Sequence, residues 1–94
     1  MQRLYLISYE YKEDLKESDY RDMTKSFIEH GSGPSVLAHY ERLDGRGGFL
    51  VEELPADAEK DFELTVRYAR WVKFHIYAIT TMADAFPVIQ HLYG

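Results

Sequence analysis

Apolar and polar positions along this chain fall into blocks with two different periods. Leu4-Tyr-Leu-Ile-Ser-Tyr-Glu-Tyr11 carries aliphatic and aromatic residues at odd and even positions alike, as in a strand covered from both sides. Lys12 to Glu17 is a charged loop, and Ser18 or Asp19 is the expected N-cap of the helix that follows. Tyr20, Met23, Thr24, Phe27 and Ile28 recur at helical spacing, and Gly31 stands where a helix ends. Beyond Ser32-Gly-Pro-Ser35, Val36 to Leu43 reads as a second strand, Asp44 to Gly47 as a tight turn and Gly48 to Glu53 as a third strand. Pro55 closes that strand. Asp57 is the expected cap of a second helix with the stripe Ala58, Phe62, Thr65, Val66 and Ala69. Trp71 to Thr80, dense in β-branched and aromatic residues, is a fourth strand. Thr81 with Asp84 has capping-box spacing, and Pro87 fits only the first turn of a helix. The terminal helix is therefore expected to be short and to carry Phe86, Ile89, Leu92 and Tyr93.

The order is β-α-β-β-α-β with a short C-terminal helix, the ferredoxin-like split pattern of an α+β fold in one domain over residues 1–94. Both main helices then lie on one face of a four-stranded antiparallel sheet. The strands, however, are apolar on both faces. Leu4 and Leu6 alternate with Tyr5, Ile7 and Tyr9, while Val72, Phe74 and Ile76 alternate with Trp71, Tyr77 and Ile79. An apolar sheet face of that extent needs cover. A second copy packed about a two-fold axis supplies it, and so would the terminal helix folded over as a lid; a homodimer is the expectation.

Composition narrows the partners. Eight tyrosines and one tryptophan in 94 residues exceed what a small core needs and suit an interface or a pocket, where one end of a ring is dry and the other wet. A formal charge of −5 gives no general attraction for phosphate backbones, so nucleic acid is not an expected partner. The lack of cysteine excludes disulfides, thiolate metal sites and a cysteine nucleophile. No apolar run approaches the ~20 residues that span a bilayer, and no signal-peptide pattern opens the chain; a cytoplasmic protein without membrane contact is expected.

Three sets of residues could carry chemistry. In a hairpin with an even-length loop (Asp44-Gly45 alone, or Asp44 to Gly47), His39 and Glu41 share a face with Leu50 and Glu52. The four-residue loop sets His39 opposite Glu52, with β-carbons ~5 Å apart. A carboxylate there raises the imidazole pKa towards or above neutrality, as in a general base; the plainer reading of the same residues is an ordinary exposed cross-strand pair. His75, with Trp71, Lys73 and Tyr77 on its own face, is either a pocket base or a half-buried histidine bonded to a neighbour. Tyr5, Tyr9 and Tyr11 share a strand face that Tyr77 could join, as a ligand-binding lining or as interface anchors. His39, Glu52 and His75 are thus the catalytic candidates, and Tyr9, Trp71 and Tyr77 the ligand-binding candidates. Gly45, Gly47 and Gly48 read as turn chemistry rather than a phosphate loop, because no helix follows. His30 suits the end of a helix as a dipole-complementing cation, and His91 has no second ligand at a recognisable spacing. No metal site and no cofactor are expected. Arg67, Tyr68 and Arg70 beside Glu59 and Glu63 read as a solvated helix face.

The short opening strand, the Asp44-Gly…Gly-Gly-Phe-Leu-Val-Glu hairpin and the Trp71 to Thr80 strand resemble the domain of unknown function 3303 family, within the dimeric α+β barrel superfamily. The resemblance runs from Met1 to about Tyr93. The superfamily includes cofactor-free monooxygenases, muconolactone isomerases, haem-using chlorite dismutases and stress proteins; the family brings no catalytic residues to transfer. Two functions are therefore carried forward. One is a homodimeric domain that binds a small molecule or partner without catalysis. The other is a cofactor-independent monooxygenase or isomerase acting on a small aromatic or carbonyl substrate, with its cavity between sheet and helices and His39 or His75 as base.

Overall fold

β1 (Gln2–Tyr11) is an interior strand of the sheet, and its sequence is apolar on both faces. The computed structural model describes residues 2–55 and 65–94. After β1 come α1 (Glu17–His30), β2 (Val36–Glu41), β3 (Gly47–Pro55), β4 (Val72–Ile79) and α2 (Met82–Tyr93), with residues 65–68 also helical. The fold is α+β, and its sheet has the order β2-β3-β1-β4 with every neighbouring pair antiparallel. Asp57, Ala58, Glu59, Phe62 and Glu63, the cap, stripe and ion-pair positions read from the sequence, lie outside the described residues.

The two faces of β1 do different work. Its odd residues look towards α1. There Ile7, Tyr9, Leu50, Trp71 and Val72 form the buried core, with Leu15, Met23, Val36 and Tyr68 packed around them. Ile7 and Leu50 are 7% and 5% exposed, and burial of such side chains contributes about 1.5–3 kcal/mol each. The even residues make the opposite face. Leu6 sits between Val51 and Tyr77, Leu4 beside Ile79, and Ser8 between Phe49 and His75. Tyr40, Phe49, Tyr77 and Ile79 remain exposed on that face. The terminal helix does not serve as their lid, for its own Met82, Phe86, Val88, Ile89 and Leu92 are exposed as well.

Local signals were mostly obeyed, with three corrections. The cap of α1 is Lys16, and Asp19 acts from the third helical position by accepting the Lys16 N–H at 2.9 Å. Gly31 ends the helix with φ 65° and its N–H on the Phe27 carbonyl at 2.7 Å, as read. Thr81 caps α2 through the Asp84 N–H at 3.1 Å, but Pro87 lies in the second turn of a 12-residue helix and not in the first. It removes the N–H that would have reached the Ala83 carbonyl, a cost this helix carries.

The hairpin turns one residue earlier than Asp44 to Gly47. Arg42 N–H donates to the Gly47 carbonyl at 2.8 Å and Gly45 N–H to the Arg42 carbonyl at 3.0 Å, leaving Leu43 to Arg46 as the loop. Asp44 braces it, pairing with the Arg42 guanidinium and accepting the Arg46 N–H at 3.0 Å, which holds its carboxyl below the usual range. Of the glycines read as turn chemistry, Gly45 alone has a positive φ, 71°. Gly47 and Gly48 are buried members of β3, required by close approach. Gly47→Ala should cost about 1–3 kcal/mol, because the added carbon overlaps the Tyr9 carbonyl. Gly45→Ala meets open space and should cost only the left-handed strain of about 1–2 kcal/mol. Urea midpoints with unchanged slopes would measure both.

Candidate functional site

One cross-sheet row organises the site: Glu41 on β2, Gly48 on β3, Tyr9 on β1 and Phe74 on β4 stand side by side. Tyr9 and Glu41 are thus two strands apart, roughly 10 Å between backbones. They nevertheless touch, because Gly48 offers no side chain between them. A β-carbon at Gly48 would run into the Tyr9 phenol and the Tyr40 carbonyl. The Tyr9 ring lies across the vacancy, and its hydroxyl reaches His39 Nε2 at 2.7 Å and Glu41 Oε1 at 3.1 Å. Tyr11 adds a second phenol to Glu41 at 2.5 Å, and Ser32, just past the end of α1, meets His39 Nδ1 at 2.6 Å.

Proton counting orients this chain of groups. The Glu41 carboxylate has only lone pairs, so both tyrosines donate to it. Tyr9 has one proton and has spent it; its oxygen therefore accepts from His39 Nε2–H. His39 Nδ1 is then a lone pair, and it accepts from the Ser32 hydroxyl. The opposite direction would set the Tyr9 oxygen against the carboxylate with no proton between them. The assigned state is a neutral imidazole with its proton on Nε2.

A cavity of about 530 Å³ lies between this row and α1, walled by Met23, Phe27, Tyr68, Val72 and Phe74. His39 is exposed as a residue, but its ring is wedged edge-on between Tyr9 and Phe27, with centroids 5.6 and 5.8 Å away. That burial pushes its pKa below 6.5, and Glu41 opposes the shift without cancelling it. Burial, then Glu41, holds the Tyr9 hydroxyl well above the ordinary phenol range, and Tyr11 is raised likewise by burial and its bond to Glu41.

The nominated residues separate between the two faces. His39 and Tyr9 line the cavity. Glu52 is on the same side of the sheet but stands opposite Tyr5 and Val36, whereas His39 stands opposite Leu50. The earlier turn sets that register, the one Asp44-Gly45 alone would give, and a bulge between Val36 and Ala38 shifts β2 further. The carboxylate beside His39 is Glu41, and the imidazole is lowered rather than raised. His75 and Tyr77 lie on the exposed opposite face, so Tyr77 does not join Tyr5, Tyr9 and Tyr11. Trp71 precedes β4 and turns into the core, its ring 6.0 Å from Tyr68 and 5.4 Å from the Arg70 guanidinium; it leaves the face of His75 and does not line the cavity.

Sequence reading missed Ser32, Tyr11 and Glu41 as members of one site. The available signal was Gly48, a strand glycine opposite Glu41 of β2. Among the described residues, no helix is long and apolar enough to cross a membrane, and no three histidine, aspartate or glutamate side chains gather as a metal-ligand set.

Residues 3–93 match the family described as Domain of unknown function (DUF3303), and the chain belongs to that family. No curated protein and no solved structure matches it significantly.

An NMR titration of His39 should give a midpoint below 6.5, and Glu41→Gln should lower it further by removing the one opposing charge. Because the unfolded chain binds this proton at higher pH than the folded one, stability is fully present above about pH 6.5 and falls as pH drops through the folded midpoint. His39→Gln should remove that component from urea unfolding curves recorded between pH 7 and 5.

Proposed function

We propose that this chain is a small-molecule-binding domain whose site is the cavity between the sheet and α1. The observation that carries the reading is the juxtaposition of a largely aromatic cavity with one concentrated polar wall, Ser32-His39-Tyr9-Glu41-Tyr11. Binding pockets of about 300–1,000 Å³ have this character, apolar over most of their surface with a few convergent polar groups. The polar wall holds the ligand's polar end, and Phe27 and Phe74 hold its rings.

The domain works as a pair of ferredoxin-like units in this reading. The strand order β2-β3-β1-β4 supports the split pattern. The exposed Phe49, Tyr77 and Ile79 beside Leu4, Leu6 and Val51 support a second copy on the face away from the cavity. Each subunit then keeps its own site on the helix side, while the open faces meet.

A second reading, a cofactor-independent oxygenase or isomerase, is favoured by His39. An imidazole held neutral, with its second nitrogen joined through Tyr9 to a carboxylate, is a base that can accept a proton from a substrate displacing Ser32.

Thermal-shift screening of small aromatic compounds should find ligands that raise the melting temperature of the wild type, with stabilisation of about 2.7 kcal/mol at a hundredfold excess over Kd. Phe74→Leu should weaken those ligands, and the pocket reading fails if it binds them as the wild type does. His39→Gln that binds normally separates binding from turnover. Sedimentation equilibrium should return twice the 11.0 kDa chain mass, and Val51→Lys should return it to one. A single-chain mass for the wild type at high concentration would overturn the pairing.

A further inference from the structure

The hydrogen-bond inventory of the cavity leaves a one-sided chemistry. Every side-chain proton that faces it among the described residues is already given away inside the protein. Ser32 donates to His39, His39 to Tyr9, and both Tyr9 and Tyr11 to Glu41. The Tyr68 hydroxyl donates to the Gly31 carbonyl at 3.3 Å, and the Thr24 hydroxyl to the Tyr20 carbonyl at 2.7 Å. What remains for a ligand is lone pairs, on the Glu41 carboxylate above all and on the hydroxyl oxygens. No lysine or arginine lines the cavity among the described residues, whereas five phenyl or phenol rings do: Tyr9, Tyr11, Phe27, Tyr68 and Phe74.

Such a site discriminates by charge. An anion would meet a carboxylate with no lysine or arginine of the lining to offset its charge. A neutral acceptor would find every side-chain donor of the lining already spent. A ligand that brings its own protons and positive charge satisfies the free lone pairs and lies against the negative faces of the rings.

We propose that the occupant of the cavity is an organic ammonium ion carrying an aromatic group, its N–H donors on Glu41 and its ring among Phe27, Tyr68 and Phe74. This rests on the pocket reading above and specifies its ligand class.

The test is a matched series on the full-length wild-type chain, measured by calorimetry at pH 7: tryptamine, its neutral alcohol analogue tryptophol, and indole-3-acetate. Tryptamine should bind at least tenfold more tightly than tryptophol, and indole-3-acetate should not bind. Glu41→Gln should reduce tryptamine to the level of tryptophol; Glu41→Asp, which keeps the charge, should retain part of the preference and guards against a folding defect. If the alcohol or the acid binds as tightly as the amine, with shifts at His39 and Tyr9 in NMR spectra, the cationic class is wrong and the pocket reading survives. If none of the three compounds perturbs those resonances while other compounds do, the class is again wrong. If no compound of any charge perturbs them, the pocket reading falls and this inference with it.

Discussion

The arrangement on the helix side of the sheet depends on an absence, the side chain that Gly48 lacks. One strand, β3, lies between β1 and β2, and a phenol from one reaches a carboxylate on the other only by lying over a residue with no β-carbon. Once Tyr9 takes that path, its hydroxyl arrives between His39 and Glu41, and the tautomer, the proton directions and the depressed imidazole follow from bond counting and burial. Gly47 extends the same close approach to the backbone, where the Tyr9 carbonyl leaves no room for a substituent. Two adjacent glycines thus set how tightly β3 can lie under the first strand.

The chain divides its tasks by side of the sheet. Polar chemistry is gathered under α1, with aromatic rings around it, while the far side carries aliphatic and aromatic residues and, at its margin, His75. This split follows from the alternation of side chains along a strand: the odd positions of β1 feed one surface and its even positions the other. Tyr9 and Tyr11 are spent on the first. Leu4 and Leu6 are spent on the second.

Strand locations and the doubly apolar character of β1 were legible because each rests on local periodicity. Gly31 and Thr81 were legible as caps because their chemistry is short-range. The site was only half legible. His39 and Tyr9 are recognisable from residue type and strand parity, but their partner is decided by where the hairpin turns, and Leu43 rather than Asp44 opens that turn. A shift of one residue in the loop, with a bulge at Val36, was enough to exchange Glu52 for Glu41. Ser32 was invisible for a different reason, since only tertiary packing brings the end of α1 to the edge of β2. Pro87 misled because proline's preference for a first turn is strong but not absolute when a helix begins with a good cap.

The irregularity between Val36 and Ala38 also bears on how such domains crowd together. β2 is the outermost strand on its side, and an outermost strand offers a ladder of free amides and carbonyls to any extended chain nearby. A kinked, over-twisted border interrupts that ladder partway along its short length. Growth of the sheet sideways into a ribbon is thereby discouraged on this border.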